Sequence, residues 1–320
     1  MNILIGQNHL HYIGGTEKYT YDLVKELISR KEVDNVSLII PHSMYLGVMS
    51  DKIEKELGVK TNYISKEFMN GEKKFDMCLI NHNTTMDRLI HSKIHYDKNN
   101  VFQIIHGTTP GVEQPYLPLH FAKNKDVKIQ YITISQEISD YIKNTYNLKG
   151  IVVNNGVDTD VFNSKKEINE VPKKLFSLSQ SKDFNTRLHI ICKKLDIKFS
   201  CANKWVNAQQ DVSEDIKDSD IVVSLGRGVY ESMMCGRYVI VADERSYQGG
   251  LSDGSVNKDN IDKMMYSNCS GRAYMFKPTI LHIKGEIEKY NKKDANFNKE
   301  YAIKNLNIKN QVSKILELKK

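Results

Sequence analysis

The chain has 320 residues, 40% of them hydrophobic and 27% charged; that is enough to bury a sizeable core and to divide into two domains of ordinary size, and it excludes collagen-like, coiled-coil and wholly disordered classes. Lys and Arg number 46 against 39 acids, a net charge of +7, which raises a polyanionic partner such as nucleic acid or an anionic membrane surface. Met1 to Gly6 holds only three consecutive apolar side chains, and no stretch approaches the roughly eighteen of a membrane span, so a soluble, cytoplasmic protein is expected.

Short apolar runs alternate with longer amphipathic segments, the pattern of parallel strands joined by helices. Strands are predicted at Ile3–Ile5, Val36–Ile40, Met77–Ile80, Val101–Ile105, Ile129–Ile134 and Ile151–Val153. Helices are predicted at Thr16–Ser29, with Leu23, Leu27 and Ile28 on one stripe, and at Gln136–Thr145. These make one doubly wound domain over 1–157. The polar run that follows, placed at 158–172, reads as an interdomain linker. Strands then recur at Leu175–Leu178, Ile197–Ser200, Asp220–Leu225 and Tyr238–Ala242, with helices at Thr186–Leu195, Ser213–Lys217 and Val229–Cys235. A second domain of the same class is expected over 173–297. The fold class is therefore α/β, two Rossmann-like doubly wound domains facing a central cleft.

The five cysteines, Cys78, Cys192, Cys201, Cys235 and Cys269, are scattered, with no CxxC and no His pair at metal spacing. Neither a disulfide framework nor a zinc site is expected. Ligands of open parallel sheets sit at the carboxyl ends of strands, so chemistry is sought in the loops that follow them. The first such loop, Gln7 to Thr16, brings Gly14, Gly15, Thr16 and Glu17 to the mouth of a helix. Paired glycines let backbone N–H groups approach an anion or a sugar hydroxyl. The same residues also serve as a plain turn with Thr16 as helix cap. The loop is neither GxGxxG nor a Walker loop, so dinucleotide and ATPase readings lose support. His106, directly after a predicted strand, is placed to hydrogen-bond a sugar hydroxyl or assist proton movement; His9, His11 and His82 are weaker candidates.

In the second half a strand runs into Gly226-Arg227-Gly228 and a helix start. That combination of exposed donors, helix dipole and guanidinium suits a diphosphate. Glu231, expected in the first turn, either accepts both hydroxyls of a ribose or simply sits well in the dipole. The chain has 39 lysines and 7 arginines, and five of the arginines (Arg187, Arg227, Arg237, Arg245, Arg272) fall between 187 and 272. Where lysine is the default cation, arginine points to its bidentate fork.

Taken in order, these segments resemble the GT-B glycosyltransferases, in particular the retaining, nucleotide-sugar-dependent family 4. The matching pieces are Gly14-Gly15-Thr16-Glu17, His106-Gly107, Ile134-Ser135-Gln136-Glu137, Asn155-Gly156-Val157-Asp158 with Phe162, and Glu231 to Val241. The resemblance implies that the Gly14-Gly15 loop and His106 line the acceptor side and reaction centre. It implies that Lys182 and Arg187 neutralise the leaving diphosphate, that Gly226, Arg227 and Gly228 hold its phosphates, and that Glu231 binds the donor ribose. The family's first glutamate falls on Val223, so the donor sugar is not legible. Asn268-Cys269-Ser270-Gly271-Arg272 lies outside the common pattern and suggests a subgroup, with Arg272 toward the donor phosphates or a domain contact.

The function implied is transfer of a sugar from a nucleoside diphosphate sugar, with retention and without cofactor or obligatory metal. The acceptor expected is a glycan or lipid-linked glycan ahead of a modified DNA base, with peripheral contact at the inner face of a membrane. The rivals are a nucleotide-sugar-binding protein without transferase activity and a sugar-nucleotide epimerase. From Lys284 onward there are ten lysines and five acids, so most of the excess charge lies in one amphipathic stretch. The resemblance places its helix, about 298–320, back on the first domain.

Overall fold

The structure, a computed structural model, describes residues 1–12, 14–64, 74–108, 114–117, 127–203, 209, 211–245 and 249–320. Among these the chain forms two units, Met1–Asn155 with Ile308–Lys320, and Gly156–Asn307.

In the first unit the Ile-, Leu- and Val-rich runs become β1 (Asn2–Gly6), β2 (Asn35–Ile40), β4 (Met77–Ile80), β5 (Val101–Ile105) and β6 (Ile129–Thr133), joined by β3 (Thr61–Tyr63) and β7 (Gly150–Val152). All pair in parallel in the order β3-β2-β1-β4-β5-β6-β7. A parallel sheet needs both faces covered. The cover comes from α1 (Gly15–Ile28), α2 (Val48–Leu57), α3 (Asn83–Ile90) and α4 (Gln136–Tyr146). Leu23, Val24 and Leu27 of α1 pack with Ile3, Ile5 and Leu38 in one core. Strand order reverses between β1 and β4, so the loops after these two strands open the crevice where ligands of such sheets bind.

The second unit contains β8 (Lys174–Ser177), α5 (Lys182–Lys194), β9 (Lys198–Cys201), α6 (Ser213–Lys217), β10 (Ile221–Ser224), α7 (Arg227–Met234), β11 (Tyr238–Arg245) and β12 (Gly249–Ser255), then α8 (Ile261–Tyr266), α9 (Ile280–Glu288) and α10 (Lys292–Asn305). The sheet order is β12-β11-β10-β8-β9. It is parallel except for β12, which runs antiparallel to β11 with a register shift at Val241/Ala242. The strand order reverses between β8 and β10.

Several elements differ from the sequence expectation for identifiable reasons. α5 begins at Lys182, a turn before Thr186, because the Ser181 hydroxyl accepts Phe184 N–H at 3.2 Å and caps it there. Thr16 is not a cap: the N-cap of α1 is Gly14, and Thr16 lies inside the helix. Residues 158–172, expected as a linker, lie within the second unit. Phe162 and Ile168 are buried in its cores, and Asp220 accepts Asn169 N at 2.8 Å, Lys173 N at 2.7 Å and Lys174 N at 3.0 Å. The tail expected as one helix over 298–320 is two. It breaks at Leu306-Asn307, where Val157 N donates to Leu306 O at 2.7 Å. α11 (Ile308–Leu316) then packs Ile308, Val312 and Ile315 into the core of the first unit. Among the described residues no helix is long and apolar enough to cross a membrane.

Candidate functional site

In the first unit the candidate residues gather at the carboxyl ends of β1, β4 and β5. Gly14 gives way to the Glu17 carboxylate: a Cβ there would collide with Glu17 Oε2, whereas Gly15 faces open space. Glu17 is 4% exposed. Its Oε1 lies 3.1 Å from His9 Nδ1, and Thr16 Oγ1 donates to its Oε2 at 3.2 Å. Ile13, in the same loop, lies outside the described residues.

His106 follows β5 directly and meets Asn81, which follows β4, with Nε2 and Oδ1 2.8 Å apart. The Asn81 amide donates from Nδ2 to Gly6 O at 3.0 Å, which turns Oδ1 toward the imidazole. The hydrogen on His106 is thereby assigned to Nε2, leaving Nδ1 as the acceptor. Tyr19 of α1 packs edge-on to the ring, with centroids 4.9 Å apart. Burial, and secondarily the neighbouring His82, pushes the His106 pKa down to about 3. The ring is neutral at physiological pH, so it suits a hydrogen-bonding role better than that of a strong base. Asn81 was missed in the sequence, although the rule that found His106, a polar residue directly after a strand, also marks it.

In the second unit the loop after β8 is a closed polar network. Ser179 Oγ donates to Asp243 and accepts Ser181 N–H, and Asn185 donates from Nδ2 to Ser179 O at 3.1 Å. This sets Lys182 as the first residue of α5, exposed to solvent. A cavity of about 370 Å³ opens beside it, lined by Lys182, Asn185, Thr186 and His189 of α5 and Phe199 and Cys201 of β9. Arg187 does not join Lys182. Five residues on, it stands roughly 140° around the helix, and its guanidinium pairs with Glu244 of β11.

At the end of β10 the chain turns through Gly226, whose φ of 59° and ψ of −125° favour glycine. α7 begins at Arg227, without a side-chain cap on its N-terminus. Gly228 packs so closely that a Cβ would collide with Ser224 Oγ and lie 2.8 Å from Leu178 Cδ1. Glu231 is therefore not in the first turn but one turn along. Arg227 Nε donates to Glu231 Oε1 at 2.8 Å, a pair only 10% and 8% exposed. Two residues assigned to separate parts of a donor are thus bound to each other. The loop after α8 closes on the same corner, with Gly226 N donating to Cys269 O at 2.8 Å and Tyr230 OH to Asn268 Oδ1 at 2.8 Å. Arg272, half-buried, lies three residues beyond Cys269.

Arg237 and Arg245 have other work. Arg237 is 2% exposed and, among the described residues, donates to the backbone oxygens Cys235 O at 2.9 Å, Lys217 O at 3.1 Å, Ser219 O at 2.9 Å and Lys166 O. Arg245 donates from Nε to Asp243 Oδ2 at 2.7 Å. Among the described residues no group of three or more His, Cys, Asp or Glu is placed to hold a metal ion.

No family model and no curated protein matches the chain. Solved structures do. TarM is 10% identical over 99% of this chain and 98% of its own, with a TM-score of 0.60. CalG4, the calicheamicin glycosyltransferase, is 10% identical over 99% and 98%, with a TM-score of 0.53. The fold is GT-B. A UDP-N-acetylglucosamine 2-epimerase is 12% identical over 95% and 94%, with a TM-score of 0.48. At such identities the likeness establishes the architecture, two Rossmann-like domains, and nothing of the chemistry.

Proposed function

We propose that the chain is a glycosyltransferase that moves a sugar from a nucleoside diphosphate sugar to a glycan or lipid-linked glycan acceptor. The observation that carries this reading is the corner at the end of β10. There an uncapped helix N-terminus, a left-handed Gly226 and the Arg227–Glu231 pair meet at the reversal of strand order. Such a corner suits a diphosphate and a vicinal diol together. On this reading donor binding opens the ion pair, Arg227 turning to phosphate and Glu231 to the ribose hydroxyls. The nucleoside enters the cavity beside Lys182, whose ammonium neutralises the diphosphate. Arg272 stays in the donor set, and Arg187 contributes only by leaving Glu244.

The bond between the anomeric carbon and the diphosphate breaks with its electron pair on the leaving oxygen, and the acceptor hydroxyl forms the new bond. With retention, the course implied by the family 4 resemblance, the departing diphosphate takes the hydroxyl proton. No metal is needed where a helix N-terminus and cations hold the anion. Neutral His106 and the Gly14–Glu17 segment, both of the first unit, are assigned to the acceptor side. A lipid-linked acceptor would bring the chain into peripheral contact with a membrane.

The test is a donor screen by released nucleotide, in excess EDTA, with lipid extract, duplex DNA and water as acceptors. Release above the water background with lipid extract supports the reading, and release with DNA moves the acceptor to a modified base. Loss of all release in EDTA would overturn metal independence. Binding of donor without turnover over any acceptor makes the chain a nucleotide-sugar-binding protein. Interconversion of donor with no acceptor makes it an epimerase.

A further inference from the structure

The stretch from Lys263 to Gly285 carries four cations, Lys263, Arg272, Lys277 and Lys284, and no acid. Within it, between positions 275 and 281, four large apolar side chains stand in solvent: Met275 is 62% exposed, Phe276 47%, Ile280 41% and Leu281 82%. A single exposed apolar residue calls for no explanation, but a patch of them beside basic groups marks an interaction surface.

The backbone beneath the patch is fixed. Phe276 exchanges two backbone hydrogen bonds with Ser252 of β12, each at 2.8 Å. The His282 ring packs against Phe276 with centroids 5.2 Å apart, and its Nε2 lies 3.0 Å from Ser252 Oγ. Tyr274 stacks on Phe276 from its other neighbour in the loop, centroids 5.7 Å apart, and Lys263 Nζ sits 3.9 Å from the centroid of the Tyr274 ring. Thr279 caps α9, its Oγ1 accepting His282 N–H at 3.2 Å. Ile283 and Ile287 sink one face of α9 into the core, which leaves Ile280 and Leu281 of its first turn outside.

The acids that border the segment are each engaged. Glu244 pairs with Arg187, Glu286 with Lys289 at 2.6 Å and Glu288 with Lys284 at 2.9 Å. Asp253 is 3% exposed and accepts Tyr274 N–H at 2.7 Å. Lys263 and Lys277, both exposed, therefore set the sign of the potential at the patch.

We infer that the 275–281 segment is a docking surface for an anionic lipid bilayer. Met275, Phe276, Ile280 and Leu281 enter the boundary between headgroups and acyl chains, and Lys263 and Lys277 lie against anionic headgroups. Charge complementarity selects this occupant. A second copy of the chain, docked through the same patch about a two-fold axis, would bring like charges together. Duplex DNA offers phosphates but no hydrocarbon for the apolar side chains.

The experiment is sedimentation of the full chain, Leu281→Gln and Lys277→Gln with vesicles of phosphatidylcholine alone and of equal parts phosphatidylcholine and phosphatidylglycerol, beside thermal unfolding of each protein. The wild type is expected to bind the mixed vesicles at least about tenfold more tightly than the neutral ones. On the mixed vesicles Leu281→Gln should bind roughly tenfold more weakly than the wild type, and Lys277→Gln about fivefold more weakly. Both variants should unfold at the wild-type temperature, because both side chains stand in solvent. Absence of wild-type binding to the mixed vesicles, equal binding to the two vesicle types, or both variants within twofold of the wild type overturns the inference. Self-association that Leu281→Gln abolishes, without vesicle binding, overturns it in favour of a second copy. The assay contains no nucleotide, so its failure leaves the glycosyltransferase reading standing, and failure of that reading leaves this contact standing.

Discussion

His106 and Lys182 illustrate how differently two candidate side chains are prepared. His106 is locked by Asn81 and Tyr19 and kept neutral, its pKa pushed down to about 3 by burial first and His82 second. Lys182 stands at the start of a capped helix and is exposed to solvent. Stabilising a leaving anion is usually the larger catalytic contribution, on the order of 10²-fold or more for one donor. Lys182→Ala is therefore expected to lower kcat by about 10²-fold, and His106→Ala by roughly tenfold. Equal turnover of Lys182→Ala and wild type on the true substrates removes Lys182 from the site. Because His106 takes up a proton only well below neutrality, the pH profile of kcat/KM for His106→Ala should keep the wild-type shape from pH 5 to 9. A limb near pH 6 to 7 that vanishes in the variant contradicts a neutral ring. Arg237 shows the opposite case, an arginine with a purely architectural set of partners. Its guanidinium ties Lys166 to the ends of α6 and α7, so Arg237→Met orphans several buried carbonyls and is expected to cost about 3 kcal/mol. For a unit of this size thermal unfolding would register that as roughly 6–12 °C.

At the scale of elements, the strands built from Val, Ile and Leu runs were legible because parallel strands buried on both faces must be apolar throughout. β12 was not. Its Gly249-Gly250-Leu251-Ser252 run carries no strand pattern, and it forms because β11 offers a free edge and Glu286 accepts Ser255 N–H at 2.7 Å. The segment 158–172 misled for the converse reason. Its charged composition resembles a linker, yet one buried carboxylate organises it from 50 residues away in sequence. The candidate site was legible where a polar residue follows a strand or a glycine turn, as at His106 and Gly226. It was illegible where partners come from distant loops, as with Asn81 and the Arg227–Glu231 pairing. Asp220 makes this anchoring of 158–172 testable. Burial pushes its pKa up, but the N–H groups of Asn169, Lys173 and Lys174 outweigh that and leave it lowered. Its folded pKa lies below the unfolded value near 3.9, so its contribution is complete above about pH 4 to 5 and is lost as pH falls through the folded value. The urea midpoint of the wild type should drop between pH 5 and pH 2. Asp220→Asn should start roughly 2–3 kcal/mol lower at pH 7 and fall less steeply. A variant with wild-type stability at pH 7 would mean that 158–172 is not held this way.

Across the whole molecule, a net charge of +7 suggests a polyanionic partner on composition alone, and the structure gives several of the C-terminal lysines partners within the chain. Lys284 pairs with Glu288 at 2.9 Å and Lys289 with Glu286 at 2.6 Å, acids of the same stretch, whereas Lys292 meets Glu170 at 2.7 Å from outside it. Lys299 donates to Ser164 O at 2.6 Å and helps to hold 158–172. The very end is structural too: Lys320 N donates to Asn100 Oδ1 at 2.9 Å, and Arg30, two residues past α1, donates to Lys309 O at 2.5 Å. A basic residue near an anionic surface contributes about 1 kcal/mol of attraction. Four lysines acting as a dock would then account for roughly 10²- to 10³-fold in affinity, since about 1.4 kcal/mol is tenfold. Replacing Lys292, Lys293, Lys319 and Lys320 together with Gln separates the cases. With the tail as architecture, sedimentation with anionic vesicles and retention on duplex DNA stay within about twofold of the wild type, because surface ion pairs contribute little. A loss of 10²-fold or more on vesicles would make the tail the membrane contact. The same loss on DNA would return the acceptor question to nucleic acid.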